Sequence, residues 1–228
     1  MASLILNHST IKTIIFDFDG TLAQLNIDFY QMREAVWKLI SSLNITGDEL
    51  HTNYVLELIE SARNILMQRS PNSAQVFYEE VHAIIEKIEI EAAEKGKLFD
   101  GTRDLLHVLK TYQISCGIIT RNCSKAVKIV FPDILSYCAV VICRDDVKNV
   151  KPHADHLNLA LNRLGGSADK TLMIGDHPLD IKTGRNAGSF TCGVLTGRCQ
   201  KNDFIEAGAD IILNQACDIL TLISGRSY

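Results

Sequence analysis

The stretch from Ile14 to Leu22, IIFDFDGTL, decides how this chain of 228 residues is organised. It begins with apolar and partly β-branched residues, which are typical of a buried strand, and the glycine after them indicates the turn that ends it. Asp17 and Asp19 are therefore predicted at the carboxyl end of a strand, where open α/β sheets bind ligands. Two neighbouring carboxylates are costly unless a cation or a shared proton offsets their charge.

Composition limits the class of protein. The hydrophobic fraction of 46% is ample for a packed core, and the net charge of -4 gives no reason to expect nucleic acid or an anionic membrane as partner. No apolar run reaches the roughly 20 residues of a membrane span, and the apolar start is too short for a signal peptide. Seven cysteines without a C-x-x-C pair indicate reduced core thiols. We therefore expect a cytoplasmic monomer or homodimer.

Three helical patterns follow the first strand. In each pattern, apolar residues recur every three or four positions, which is the spacing along one face of an amphipathic helix. The predicted helices begin behind Asp28, Asp48 and Ser73 and end at 44–47, at Ser70-Pro71 and at Gly96. Long helices with short connections form a small antiparallel bundle. The segment 24–95 also carries 12 acidic and 6 basic residues, so we treat it as an inserted domain.

The remainder of the chain alternates between strands and helices. Strands are predicted over 11–16, 114–119, 139–143, 171–174, 190–194 and 210–213, and helices over 100–111, 125–130, 153–164, 178–188 and 215–224. This alternation predicts an α/β fold with a doubly wound parallel sheet, a Rossmann-like core. Right-handed crossovers then place the carboxyl ends of all its strands at one edge. The core would comprise 1–23 and 96–228.

Side chains suited to phosphate chemistry follow three of these strands or lie at the start of a predicted helix. They are Asp17, Asp19, Thr120, Lys151, Asp176 and Asp180. Several carboxylates at one sheet edge form a site for a hard cation, and oxygen ligands favour Mg²⁺. A lysine and a threonine hydroxyl that face such an ion suggest a phosphate group between them. The sequence therefore predicts a site for Mg²⁺ and a phosphorylated small molecule.

Four short motifs connect these residues to a known family. They are DFDGT at 17–21, IIT at 118–120, Lys151-Pro152, and GDHPLD at 175–180. In their order and spacing the chain resembles the haloacid dehalogenase-like hydrolase superfamily, in its helical-cap, phosphoglycolate-phosphatase-like branch. The resemblance covers most of the core, and the insert follows the first motif, as in capped members. It implies a catalytic core, a cap domain over 24–95, and a Mg²⁺-dependent phosphatase that acts on a small phosphorylated metabolite.

The resemblance also implies catalytic roles. Asp17 would be the nucleophile that forms an aspartyl-phosphate, and Asp19 would protonate the leaving oxygen and later accept a proton from water. Thr120 and Lys151 would hold the phosphoryl oxygens. Gly20 would bring a backbone amide close to the phosphate or form a tight turn.

The remaining assignments concern the metal and two residues with open alternatives. Mg²⁺ would bind Asp17, the backbone carbonyl of Asp19, Asp176, and either directly or indirectly Asp180. Asp180 also reads as an acid in the first turn of a helix, where the macrodipole favours it. Arg121 could face the phosphate or be an ordinary solvated arginine. For His177, the sequence favours a residue near the start of a helix over a metal ligand.

Several competing activities are compatible with parts of the pattern. A 2-haloacid dehalogenase needs no acid at the position of Asp19, and a phosphonatase needs a cap lysine, for which Lys38 is a poor candidate. A phosphosugar mutase would keep every core motif. A non-catalytic module would bind Mg²⁺ and a phosphorylated ligand without turnover. Departures from the phosphoglycolate phosphatase pattern, at 23–25, 121–122 and 154, leave the substrate open.

Overall fold

The computed structural model describes residues 3–47, 50, 52 and 54–224. They form two compact units, one from the described residues of 1–25 and 96–228 and the other from those of 26–95. Gln24 pairs with Lys97 in a short two-stranded sheet, which keeps both residues in the larger unit. In the described part of the chain, no helix combines the length and apolarity that crossing a bilayer requires.

The larger unit contains most of the strands. In chain order the strands are β1 (Ser3–Leu6), β2 (Ser9–Ile11), β3 (Thr13–Phe16), β4 (Ala23–Gln24), β5 (Lys97–Leu98), β6 (Ser115–Ile119), β7 (Val140–Ile142), β8 (Thr171–Gly175), β9 (Phe190–Val194), β10 (Ile211–Leu213) and β11 (Ile223–Ser224). Six of them form a parallel sheet in the order β10-β9-β8-β3-β6-β7. The predicted parallel α/β core is therefore confirmed.

The helices occupy the connections between these strands and the whole of the smaller unit. In chain order the α-helices are α1 (Phe29–Ser42), α2 (Val55–Arg69), α3 (Pro71–Ala93), α4 (Thr102–Thr111), α5 (Ser124–Val130), α6 (Ala154–Leu164), α7 (Pro178–Ala187) and α8 (Lys201–Ala207). The first three form the smaller unit, and each buries one apolar face, as the periodicity predicted. Helix α8 was not predicted.

The strand order reverses next to β3. From β3 the chain proceeds to β6 and β7 on one side, then crosses to β8, β9 and β10 on the other. The carboxyl ends of β3 and β8 therefore meet at the topological switch point, which is the ligand-binding position of open α/β sheets. All four residues of β3 are buried, and Ile15 packs with Ile119 and Met173 in the core of the sheet.

Several predicted boundaries were wrong. The first strand is divided at Lys12, because Ile11 pairs antiparallel with Leu4 in a separate small sheet, whereas Thr13 joins the parallel sheet. The predicted helix over 215–224 is instead a 3₁₀ helix, Ala216–Leu222, followed by β11, which pairs with β1. Strand β11 was missed because its partner β1 lies far away in the chain.

The starts of two helices in the smaller unit also differ from expectation. Helix α3 begins at Pro71 rather than after Ser73, because Ser70 caps it by accepting a hydrogen bond from the Ser73 backbone N–H at 3.3 Å. Proline suits the first helical position, where no backbone donor is needed. Helix α2 begins at Val55, and the predicted cap Asp48 lies outside the described residues. The predicted cap of α1 is confirmed, since Asp28 accepts from the Gln31 N–H at 2.9 Å.

Candidate active site

The site is built around two neighbouring strand ends. Asp17 directly follows β3, and its backbone N–H continues the sheet by donating to the Ile174 carbonyl of β8 at 2.8 Å. Asp176 directly follows β8. Because the two strands are adjacent and parallel, both carboxylates leave the sheet at the same edge. The structure thus brings together two of the acids that the sequence placed there.

Lys151 lies between two of these carboxylates. Its Nζ is 2.6 Å from Asp17 Oδ1 and 2.7 Å from Asp180 Oδ1, and the lysine side chain is only 3% exposed. Burial alone would lower the pKa of Lys151, but the two carboxylates raise it above its ordinary value. The ammonium group therefore stays charged and supplies a fixed cation beside Asp17.

Asp180 is the most enclosed of the acids. Its Oδ1 accepts from Lys151, and its Oδ2 accepts from the backbone N–H of His177 at 3.0 Å. His177 in turn accepts from the Leu179 N–H at 3.1 Å through Nδ1, which completes the start of α7. Asp180 therefore acts at the start of the helix, as one of its two alternatives held, and metal binding by Asp180 stays a prediction.

The acidic cluster contains three carboxylates. One oxygen each from Asp17, Asp176 and Asp180 lies within 4.8 Å of the others. Burial raises the pKa of Asp17 to about 6, although the Lys151 charge opposes this. Burial, followed by the charges of Asp17 and Asp180, raises the pKa of Asp176 well above its ordinary value. The donors are hard oxygens whose mutual repulsion a divalent cation would relieve, so this set fits Mg²⁺.

Glycine backbones enclose Asp176. A Cβ added at Gly20, where φ is +83°, would lie 2.2 Å from Asp176 Oδ2, and one added at Gly197 would lie 1.9 Å from the same atom. The loop that carries Gly197 is tied to the first motif, because the Thr196 hydroxyl donates to the Gly20 carbonyl. Sequence reasoning missed this loop, although its position directly after the strand 190–194 placed it at the same sheet edge.

Asp19 lies outside the three-carboxylate cluster found among the described residues. Its Oδ1 accepts from the Leu25 N–H at 2.8 Å. Burial raises the pKa of Asp19 to about 6, Asp17 adds to the rise, and the Leu25 hydrogen bond and Arg198 oppose it. A carboxyl group with such a pKa can both donate and accept a proton near neutral pH. The side chain of Asp19 is thus separated from the side chains that could bind a metal.

Thr120 and Arg121 follow the neighbouring strand β6. Thr120 is buried, its N–H donates to the Ile142 carbonyl at 3.0 Å, and its Oγ1 accepts from the Asn122 N–H at 3.2 Å. Its hydroxyl hydrogen can therefore point to another acceptor. The Arg121 guanidinium donates to the Lys151 carbonyl at 3.2 Å, which links the end of β6 to the backbone of the lysine.

Two buried polar atoms beside these motifs have no hydrogen-bond partner within the described residues. They are Thr21 Oγ1, in the first motif, and Asn122 Nδ2, two residues after Thr120. An unsatisfied buried donor or acceptor costs about 1–3 kcal/mol, so such atoms usually meet water or a ligand. Both lie in loops that lead away from the carboxyl ends of neighbouring strands.

Comparison with known proteins agrees with this architecture. The family described as haloacid dehalogenase-like hydrolase matches residues 14–194. A pyrophosphatase PpaX from Oceanobacillus iheyensis is 28% identical over 96% of this chain and 99% of its own length. A haloacid dehalogenase-like hydrolase domain-containing protein from Arabidopsis thaliana is 31% identical over 91% of this chain and 81% of its own length.

A solved structure shows the same fold. It is a protein from Bacteroides fragilis described as a haloacid dehalogenase-like hydrolase, with a TM-score of 0.69 and 24% identity. The match covers 92% of this chain and 99% of that one. The family match spans all four sequence motifs and the strands that position them. The chain therefore belongs to the haloacid dehalogenase-like hydrolases.

Proposed function

We propose that this protein is a Mg²⁺-dependent phosphatase that hydrolyses a small phosphorylated metabolite through an aspartyl-phosphate. The observation that carries this proposal is the Lys151 ammonium group held 2.6 Å from Asp17 and 2.7 Å from Asp180 at the switch point of the sheet. A fixed cation beside a carboxylate allows that carboxylate to approach an anionic phosphate. Relatives named pyrophosphatase support a phosphorylated substrate.

In the first half of the proposed reaction, an Asp17 oxygen attacks phosphorus and forms an aspartyl-phosphate. The bond between phosphorus and the leaving oxygen breaks, and Asp19 donates its proton to that oxygen. In the second half, water attacks the phosphoryl group and passes a proton to Asp19. Inorganic phosphate leaves and Asp17 is regenerated. The separate environments of Asp17 and Asp19 support this division of roles.

The phosphoryl group would be held by one residue after β6 and one in the segment before α6. Lys151 would neutralise charge on its equatorial oxygens, and the Thr120 hydroxyl would donate a hydrogen bond. Mg²⁺ would be held by Asp17, Asp176 and the backbone carbonyl of Asp19. When bound, it supplies the charge neutralisation that lets a carboxylate and a phosphate come together. Asp180 would complete the acidic set around the ion and orient Lys151, because its Oδ1 accepts a hydrogen bond from the ammonium group.

Substrate choice is proposed to depend on the helical unit acting as a cap. Two cations in this unit, Arg33 and Arg63, could face a second anion of the substrate or be ordinary surface residues. Both have partners within the unit, since Arg33 donates to the Thr52 carbonyl and Arg63 lies 4.4 Å from the ring centre of Tyr78. We therefore do not assign them to the substrate. We extend the proposal to a cytoplasmic location, which suits the seven free cysteines.

The test is release of inorganic phosphate. A panel of p-nitrophenyl phosphate, phosphoglycolate, sugar phosphates and pyrophosphate would be assayed with Mg²⁺ and after treatment with EDTA. We expect Mg²⁺-dependent release that Asp17→Asn abolishes and that Asp169→Asn, a control at an exposed carboxylate, leaves unchanged. Asp17→Asn should keep the far-UV circular dichroism of the wild type.

Each alternative has its own outcome. Turnover retained by Asp17→Asn would contradict the nucleophile assignment. An isomerised sugar phosphate in place of free phosphate would identify a mutase. Full activity in metal-free protein would favour chemistry of the dehalogenase kind. Binding of a phosphorylated ligand without any turnover would identify a non-catalytic module.

A further inference from the structure

His156 is a buried histidine on α6 to which the proposed reaction assigns no role. It has no exposed surface. Its Nδ1 accepts from the backbone N–H of Lys151 at 3.2 Å, and its Nε2 lies 3.1 Å from the Ile142 carbonyl oxygen. Because a backbone N–H can only donate, Nδ1 must be unprotonated, and Nε2 must carry the hydrogen that reaches Ile142. Both ring nitrogens are therefore used in one defined tautomer.

The same Ile142 carbonyl also anchors Thr120. It accepts from the Thr120 N–H at 3.0 Å as well as from His156, so its two lone pairs are both occupied. His156 thus connects the backbone of Lys151 with the strand end that places Thr120. Thr120 follows β6 and Lys151 precedes α6, 31 positions later in the sequence, yet a chain of three hydrogen bonds joins them.

Arg121 binds the second backbone polar group of Lys151. The Arg121 guanidinium donates to the Lys151 carbonyl at 3.2 Å, and His156 accepts from the Lys151 N–H. Both backbone polar groups of Lys151 are therefore tied to the parts of the chain that surround Thr120. Burial and, after it, the charge of Lys151 lower the pKa of His156 to about 3, so the ring stays neutral and keeps its acceptor at Nδ1.

We propose that His156 is a positioning residue, which sets the backbone of Lys151 relative to Thr120 through its two ring nitrogens and so aligns the two phosphoryl-binding side chains. This inference rests on the proposed phosphatase function. It explains why a polar ring occupies a fully buried position whose neighbour Leu157 belongs to the apolar core. Without the ring, the Lys151 N–H would lose its partner and its segment could shift.

The principal test compares three variants by unfolding, kcat and KM, with p-nitrophenyl phosphate and Mg²⁺. His156→Phe keeps the ring volume and removes both hydrogen bonds, and misplacement by about 1 Å costs roughly 100-fold in rate. We expect a fall of that order, mainly in kcat. His156→Asn can still accept from Lys151, so we expect a smaller loss of about 10-fold. Leu161→Ala, a core variant on the same helix, should lose stability and keep kcat.

Two further measurements separate this inference from the proposed function. Nitrogen-15 NMR of histidine-labelled protein should show a neutral His156 ring with its proton on Nε2 at pH 6. Binding of inorganic phosphate should be weaker in His156→Phe than in the wild type. If the wild type binds phosphate but hydrolyses no substrate, the phosphatase proposal is rejected. The role of His156 would still be upheld by a ring proton on Nε2 and by weaker phosphate binding in His156→Phe. A folded His156→Phe with wild-type kcat/KM and phosphate affinity, or a ring protonated on Nδ1, would overturn the inference.

Discussion

Replacement of Lys151 by methionine tests how the acidic site is held together. Methionine keeps an aliphatic stem of similar length and removes the ammonium group that lies 2.6 Å from Asp17 and 2.7 Å from Asp180. At an effective dielectric constant of about 20, each contact corresponds to an attraction of about 6 kcal/mol. Desolvation of the three charges offsets most of this attraction. Breaking a buried ion pair costs about 3–5 kcal/mol, so we expect a loss of that size in the free energy of unfolding.

The assay is urea unfolding followed by circular dichroism, in EDTA and at fixed pH. Lys110→Met, at an exposed lysine on α4, is the matched control and should stay within about 0.5 kcal/mol of the wild type. We also expect Lys151→Met to lower kcat by about 10²–10³-fold, as does the loss of one donor to a developing charge. The control should keep its full activity.

A double-mutant cycle with Asp180→Asn gives the sharper test. In the wild type, Asp180→Asn removes a partner of the Lys151 ammonium group. In Lys151→Met it removes a carboxylate that no longer has a counter-charge, so the second change should cost much less. We expect a coupling energy of about 1–3 kcal/mol. Additive effects, or a Lys151→Met protein as stable as the wild type, would refute the view that this lysine offsets the acidic cluster.

Three further predictions concern single residues. Gly197→Ala places a Cβ 1.9 Å from Asp176 Oδ2, so kcat/KM should fall by about 100-fold. In the control Gly188→Ala, the Cβ meets no atom within 4 Å, so activity should be kept; the positive φ of +78° should cost about 1 kcal/mol of stability. Equal kcat/KM in the two variants would contradict the steric argument. Asp19→Asn should lose several orders of magnitude in kcat and accumulate phosphoenzyme, measured by acid quenching with ³²P-labelled substrate; an undiminished kcat would remove Asp19 from acid–base chemistry. Because burial lowers the pKa of His156 from 6.5 to about 3, the unfolded chain binds a proton below pH 6.5 that the folded chain excludes. The stability contributed by neutral His156 is thus complete above pH 6.5 and is lost as the pH falls towards 3, by about 2 kcal/mol between pH 7 and pH 5. Asp17 and Asp19, whose raised pKa values of about 6 act in the opposite direction, titrate in both proteins, so the difference between the two urea-unfolding curves is measured. The wild type should lose about 2 kcal/mol more than His156→Asn between pH 7 and pH 5, and parallel curves would exclude this.

The order of the elements followed from local patterns. The apolar run before Asp17, the repeated return of buried strands and the residues that cap helices were enough to predict a parallel α/β core and a three-helix insert. These signals are local, because strand burial and helix periodicity are set by neighbours within a few positions. The pairing of β1 with β11 was missed because Ser3 pairs with Ser224, and no local signal links segments so far apart in the chain.

For the candidate site, too, some features could be predicted from the sequence and others could not. The sequence by itself determined which chemical groups are present, and it placed Asp17, Thr120 and Asp176 at one edge, because parallel strands share the direction of their carboxyl ends. Only the tertiary structure decided which groups touch: Lys151 between Asp17 and Asp180, Asp19 turned towards Leu25, and His156 beneath Lys151. The physical reason is that contact depends on strand order and on the path of loops. Both are set by packing between segments far apart in the chain, where spacing along the sequence carries no information.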